Sequence, residues 1–317
     1  MIKDELGMRM KNYEAVSKIS LDRKIPVAIR IDGKAFHTFT KDLHRPFDDI
    51  FISTMQKTMQ SLCENIQGCV LGYTQSDEIT LILVDYENEK TDAWFGYQVQ
   101  KLCSVSASMA TYYFNQHFRN AVFEYMSPAC AYLEETIDEN EENMELDTFI
   151  DMLYDSLEAD EEYIENNTEE AEYYTALVEK MDQIACFDSR CFNIPVEEVT
   201  NLIYWRQVDA IRNSIQMVGQ AYFSPKELHE KNQTDIIAML FTHKNIDWKD
   251  FPSQVKHGSC CIKKDYIDEV KFNKEQFNCE VVIRAKWVID TEIPVFKGEN
   301  REYIDKLVYI GKYKQEA

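Results

Sequence analysis

The chain lacks the loops that usually hold phosphates. It has no Walker-type loop and no Gly-x-Gly-x-x-Gly run, so neither a P-loop nor a Rossmann dinucleotide site is in view. Its nine cysteines are odd in number, include no Cys-x-x-Cys pair, and place two, Cys260 and Cys261, side by side. That pattern excludes a disulfide framework and a zinc site and reads as reduced thiols. No apolar run reaches membrane-spanning length, and the start, Met1 to Leu6, has no basic-then-apolar signal region; the expected location is the cytoplasm. His117, His229, His243 and His257 show no metal-ligand spacing, and no Ser-His-Asp or Cys-His arrangement is legible.

What is present is ample apolar material and an uneven charge. Hydrophobic residues make up 45% of 317, enough for one large or two modest domains. The net charge is −22, but residues 127–182 hold 20 Asp and Glu against one base, Lys180, leaving only −3 for the other 261 residues. The body is near neutral, so the acidic total does not argue against a nucleic-acid partner.

Val27 to Ile31 reads as a short apolar strand ending at Asp32-Gly33. Pro46 then opens a helix whose stripe is Phe47, Ile50, Phe51, Met55, Met59, Leu62, Cys63 and Ile66, stopped by Gly68. Cys69 to Tyr73 and Ile79 to Val84 read as strands joined by the turn Gln75-Ser76-Asp77. A second long helix is expected over about 92–117, and a strand over 186–194 before Pro195. The order strand, helix, strand, strand, helix, strand is the ferredoxin-like βαββαβ plan, an α+β class with an antiparallel sheet flanked by helices. In that plan the first and third strands are antiparallel neighbours, which brings Asp32 beside Asp77.

Leu146, Phe149, Ile150, Leu153 and Leu157, and again Tyr173, Tyr174, Leu177, Val178 and Met181, keep helical spacing. The acidic segment therefore reads as an inserted helical hairpin, with a disordered loop as the rival reading. Residues 199–220 and 225–241 read as helices, and 255–310 as strands and turns with Gly258 in a hairpin. The expected domains are 1–126 plus 183–200, a palm-like catalytic unit; 127–182, the acidic insertion; and 201–317, a helical and β extension.

Asp-Gly and Ser-Asp are common turn pairs, and either carboxylate alone is unremarkable. Two carboxylates at adjacent strand ends form a place for divalent metals over phosphates. Gly33 adds a close backbone approach and a carbonyl. Glu78 follows as a further acidic candidate, though alternation turns it away from Asp77. Lys34, Ala35, Phe36 and His37 form a loop whose amides and side chains suit phosphate; Ser76, Arg45 and Lys101 are further nucleotide-binding candidates.

These residues resemble a known family, the tRNA(His) guanylyltransferase superfamily with its Thg1-like proteins. Arg30-x-Asp32-Gly33-x-x-Phe36-His37-x-Phe39 looks like its first metal motif and Gln75-Ser76-Asp77-Glu78 its second. Phe187-Asp188-Ser189-Arg190 resembles a Phe-Asp-Gly-Arg strand entry, and Trp205-Arg206-Gln207-x-Asp209 a Trp-Arg-Gln-x-Asp segment. The resemblance covers about 12–120 and 185–265. It implies a polymerase palm, two Mg²⁺ ions on Asp32, Gly33 and Asp77, and ATP and GTP as substrates. The implied chemistry is nucleotide addition in the 3′–5′ direction to tRNA: ATP or GTP activates a 5′-monophosphate, which the 3′-hydroxyl of an incoming nucleotide then attacks. A homotetramer is implied as well.

Where eukaryotic enzymes of the family carry His-Ile-Asn-Asn-Leu-Tyr-Asn, this chain has Ile211 to Met217, keeping Asn213 as such. That is more like the bacterial and archaeal members, which implies templated 5′-end repair. The competing readings are a palm-domain nucleotide cyclase and a non-catalytic RNA-binding relic. The Trp205-Arg206-Gln207 segment disfavours the first, and survival of both Asp32 and Asp77 the second.

Overall fold

A computed structural model describes residues 5–88, 90–134, 168–273 and 278–310. After an N-terminal helix, α1 (Glu5–Ala15), the chain forms β1 (Val27–Gly33), a single turn α2 (Phe36–Phe39), α3 (Asp49–Asn65), β2 (Cys69–Gln75), β3 (Glu78–Leu83) and the long α4 (Val99–Glu134). Then come α5 (Thr168–Met181), β4 (Phe187–Asn193), α6 (Val199–Tyr222), the short α7 (Pro225–Leu228), α8 (Gln233–Met239) and α9 (Ser253–His257). A hairpin of β5 (Ser259–Asn273) and β6 (Asn278–Asp290) and a last helix, α10 (Glu302–Val308), complete it. The six strands form one antiparallel sheet in the order β4-β1-β3-β2-β5-β6. Its first four members are the ferredoxin-like palm, and β5 and β6 extend it. Among the described residues no helix is long and apolar enough to cross a membrane.

Helices cover both faces, so the central strands are apolar on both sides. Ile29 and Ile31 with Ile79 and Leu81 face α3 and α4, where Met59, Leu62, Phe114 and Phe118 meet them fully buried. Ala28, Leu71 and Ile82 face the other way, onto Val199 and Ile203 of α6 and Ile304 of α10. Small residues let α4 close on β4: Ser106 is wholly buried and its hydroxyl meets that of Ser189 at 2.8 Å. Each buried aromatic of this core contributes on the order of 2–3 kcal/mol.

Several boundaries differ from the sequence expectation for local reasons. Pro46 precedes the helix; the cap is Asp48, whose carboxylate accepts from the Phe51 amide at 2.7 Å. The second long helix starts later and runs further than 92–117, because 94–97 form a tight turn with Phe95 and Gly96 at positive φ. The stretch 225–241 is broken: a second capping box, Asn232 with Asp235, starts a new helix. Gly258, at φ 80°, is a helix exit rather than a hairpin residue, and a Cβ there would meet the Thr74 carbonyl at 2.5 Å. Residues 302–308 are helical. In the acidic segment, the stripe Leu146–Leu157 lies outside the described residues. The stripe Tyr173–Met181 is a helix whose buried side chains join the core under α4.

Candidate active site

β1 and the β2–β3 turn make the site. Asp32 lies opposite Glu78 in the register, and opposite Asp188 on the other side. The Gly33 amide donates to the Asp77 carbonyl at 3.0 Å, which locks the end of β1 to the turn. Asp32 and Asp77 are thus neighbours, as element order requires. The turn is tight: Gln75 pairs with Glu78, and Ser76 takes φ 49°, a left-handed value that is strained for serine.

Burial pushes the Asp77 carboxyl above the usual carboxylate range. The Asp32 charge adds to this, against hydrogen bonds from its own backbone and Ser76 and the influence of His37. Asp32 is more open, and its nearest cation is Arg190 at 3.9 Å, itself paired to Asp188. Two crowded carboxylates, one desolvated and short of positive charge, with backbone carbonyls alongside, fit hard divalent cations such as Mg²⁺. Among the described residues no cluster of three or more His, Cys, Asp or Glu forms a metal site. A metal held there would find two carboxylates and backbone carbonyls as protein donors, a set of hard oxygens that suits Mg²⁺ better than zinc.

A cleft of about 450 Å³ opens over Gly33 and Asp77, with Asp32 and Lys34 next to its lining rather than in it. Gly33, Ala35, Phe36, His37, Arg45, Ser76 and Asp77, all expected from sequence, line it. His44 and Asp48 from the same loop, and Met217 and Gln220 from α6, complete the wall; tertiary packing alone puts the α6 pair there. Ala35 sits at φ 59° and the amides of Ala35, Phe36 and His37 open the short turn α2, where no intrahelical acceptor exists. The Lys34 amide is already given to the Cys186 carbonyl at 2.8 Å, so Lys34 contributes its side chain alone. Asn213 lines a smaller recess of about 80 Å³ behind Ser76, with Gln75 and Gln254.

Gly33 has a packing reason beyond backbone approach. A Cβ there would sit 2.3 Å from the Phe36 ring. Phe36 is the hub of an aromatic cluster, with Phe187 at 5.0 Å, Phe114 at 5.2 Å and Phe39 at 5.4 Å between centroids. Gly33→Ala is expected to lower stability by about 1–3 kcal/mol through overpacking, read as a shifted denaturant midpoint with unchanged slope.

Two candidates are placed elsewhere. Glu78 is not among the residues that line the cleft; it is held by α6, where the Arg206 guanidinium takes both its oxygens, at 2.7 and 2.8 Å. Lys101 lies at the far end of the sheet. Cys103, two residues on, touches Cys191 near the end of β4, whereas Thr111 meets Phe187 at the start of β4, beside Gly33. Its ammonium instead lies over the Phe95 ring at 5.4 Å.

The Trp205-Arg206-Gln207-x-Asp209 motif acquires a structural meaning. Arg206 bridges Glu78 and Asp209, and Trp205 lies over Arg206 with ring centroid 4.5 Å from the guanidinium carbon. Gln207 donates to the Pro294 carbonyl and accepts from the Phe296 amide. The motif fastens α6 to the active edge of the sheet.

Residues 7–146 match the family model described as tRNAHis guanylyltransferase. A bacterial tRNA(His) guanylyltransferase (Thg1)-like protein solved in complex with ATP is 32% identical with a TM-score of 0.67, covering 96% of this chain and 100% of that one. A structure of such a protein with GTP is 31% identical with a TM-score of 0.65 and the same coverage. A probable tRNA(His) guanylyltransferase of Dictyostelium discoideum is 23% identical over 274 residues, 81% of this chain and 84% of that protein.

Proposed function

The chain belongs to the tRNA(His) guanylyltransferase family and is a nucleotidyltransferase, and from that premise we propose that it extends the 5′ end of tRNA in the 3′–5′ direction with Mg²⁺, ATP and GTP. The observation that carries this reading is the meeting of Asp32 with Asp77, tied through the Gly33 amide, beside a cleft that Gly33 and Asp77 line together with phosphate-binding candidates. Asp32, Asp77 and the Gly33 carbonyl are the residues that would hold two Mg²⁺ ions. Bound there, Mg²⁺ acidifies an attacking hydroxyl and offsets the charge of triphosphate and pyrophosphate.

The rest is done by the protein. The amides of Ala35, Phe36 and His37 present a converging set of donors to phosphate oxygens. Arg45 adds positive charge and Ser76 a hydroxyl at the cleft, and Lys34 follows Gly33 just outside its lining. Holding the nucleotide against the two carboxylates leaves its 3′-hydroxyl free to approach an activated 5′ end, and positioning of this kind supplies most of the barrier reduction in phosphoryl transfer. Glu78 acts through structure, as an anchor for Arg206. The near-neutral body meets the RNA, so binding should weaken as salt rises. The Ile211–Met217 segment favours templated 5′-end repair over strict guanylate addition, and a cytoplasmic homotetramer is the expected working form.

Labelled ATP, GTP, CTP and UTP, supplied singly with full-length and 5′-truncated tRNAs, test the reading. Incorporation is expected into truncated tRNA, with the nucleotide set by the opposing base and lost on chelation of divalent metal. No incorporation into any RNA, or growth only at a 3′ end, would refute it.

A further inference from the structure

The acidic segment has no chemistry of its own in the mechanism, yet helix α5 packs directly behind residues that wall the cleft. Helix α5 buries Tyr173, Leu177 and Val178 under α4. Tyr173, 4% exposed, donates its hydroxyl to Asp48 Oδ2 at 2.6 Å, and its ring stacks on His44 with centroids 3.5 Å apart and planes 15° off parallel. Lys180, the sole base of residues 127–182, is 3% exposed, with its ammonium 3.6 Å from Asp42.

The segment these residues grip needs holding. Between Leu43 and Asp48, among the described residues, no amide donates to a backbone carbonyl; the His44 amide donates to Asp48 Oδ2 at 3.1 Å instead. Asp48 therefore ties together the start of α3, the His44 amide and the Tyr173 hydroxyl. Burial and the Asp48 charge raise the phenol far above its ordinary value, so it stays a donor at any working pH. His44, Arg45 and Asp48 all line the cleft.

We propose that Tyr173 is a positioning residue for the nucleotide cleft: by clamping Asp48 and His44 it fixes the loop that presents Arg45, so that the acidic segment sets nucleotide affinity from outside the palm. This rests on reading the cleft as the nucleotide site. A hydrogen bond to a charged acceptor in a buried setting is strong enough for its loss to be felt in binding. Lys180 with Asp42 is a second clamp at the other end of the same loop.

Tyr173→Phe keeps the ring and loses the donor. Two measurements on the full-length protein test the clamp. Hydrogen exchange without ligand should show the amides of 41–47 exchanging about tenfold faster, with β1 and β3 unchanged. With ATP or GTP, KM should rise about tenfold with kcat within about twofold. Unchanged exchange at 41–47, acceleration spread evenly over the palm, or an unchanged KM overturns the proposal. A wild-type protein that incorporates no nucleotide refutes the functional reading instead, and exchange at 41–47 still decides the clamp.

Discussion

Asp77→Asn is expected to abolish nucleotide transfer while leaving the metal-free protein at least as stable as the wild type. The two effects have one cause. Asp77 is desolvated and sits near Asp32, so its carboxyl is raised above the ordinary range. A raised acid costs stability in its ionised form: the cost is absent below the ordinary carboxylate pKa and grows as pH rises toward and through the raised value. At neutral pH the wild type bears that cost and the amide does not. Activity should fall by at least about a thousandfold, equivalent to roughly 4 kcal/mol of lost transition-state stabilisation. Thermal melts complete the test. Added Mg²⁺ should raise the melting temperature of the wild type and not that of the variant. A variant that melts well below the wild type at pH 7 without metal, or that keeps its activity, contradicts the assignment.

Arg206→Ala is the substitution with the largest expected cost to the fold. Arg206 and Glu78 are 9% and 5% exposed at the side chain and share two short hydrogen bonds. Removing the guanidinium leaves a buried carboxylate whose nearest remaining cation is Arg30 at 3.6 Å. Breaking such a pair from one side costs about 3–5 kcal/mol. Burial already holds the Glu78 carboxyl up against the pull of Arg206; without Arg206 it rises further. The gap between wild type and variant should therefore widen as pH rises from 5 to 8, because the unpaired charge penalises only the ionised form. Glu78→Gln should cost less, since it removes the charge that needs a partner. Urea melts of the two variants across that range measure the difference. An Arg206→Ala penalty that is small and flat with pH would show that the pair does not hold the sheet edge to α6.

The convergence of Asp32 and Asp77 was legible because it follows from element order: a βαββαβ chain places its first and third strands side by side whatever the side chains. Glu78 could be read only as far as its alternation from Asp77; its partner lies 128 residues away, a separation no local pattern reports. Lys101 was misplaced for a related reason: helical spacing gives a face but does not tell which end of the sheet a residue overlies. Asp188 and Arg190 flank Asp32 through β4, and Met217 and Gln220 close the cleft through α6; both depend on packing between elements. The cap at Asp48 could have been found, since Asp48 followed by Phe51 and an apolar stripe is an ordinary helix start. The Pro at 46 was the louder signal.

Strand β4 joins β1 across a span of more than 150 residues, with Asp32 opposite Asp188. This makes the catalytic edge a late event in the life of the chain. On the ribosome β1 can pair with β3 early, yet its other edge stays open until Asn193 has been made. During that interval an apolar strand is available for wrong pairing, the situation that leads nascent chains to aggregate. Lengthening a connection raises closure entropy only logarithmically, so the intervening stretch delays the palm in time more than it weakens it. That stretch carries nearly all of the chain's net negative charge, and it emerges just when the unfinished sheet most needs other chains to be repelled.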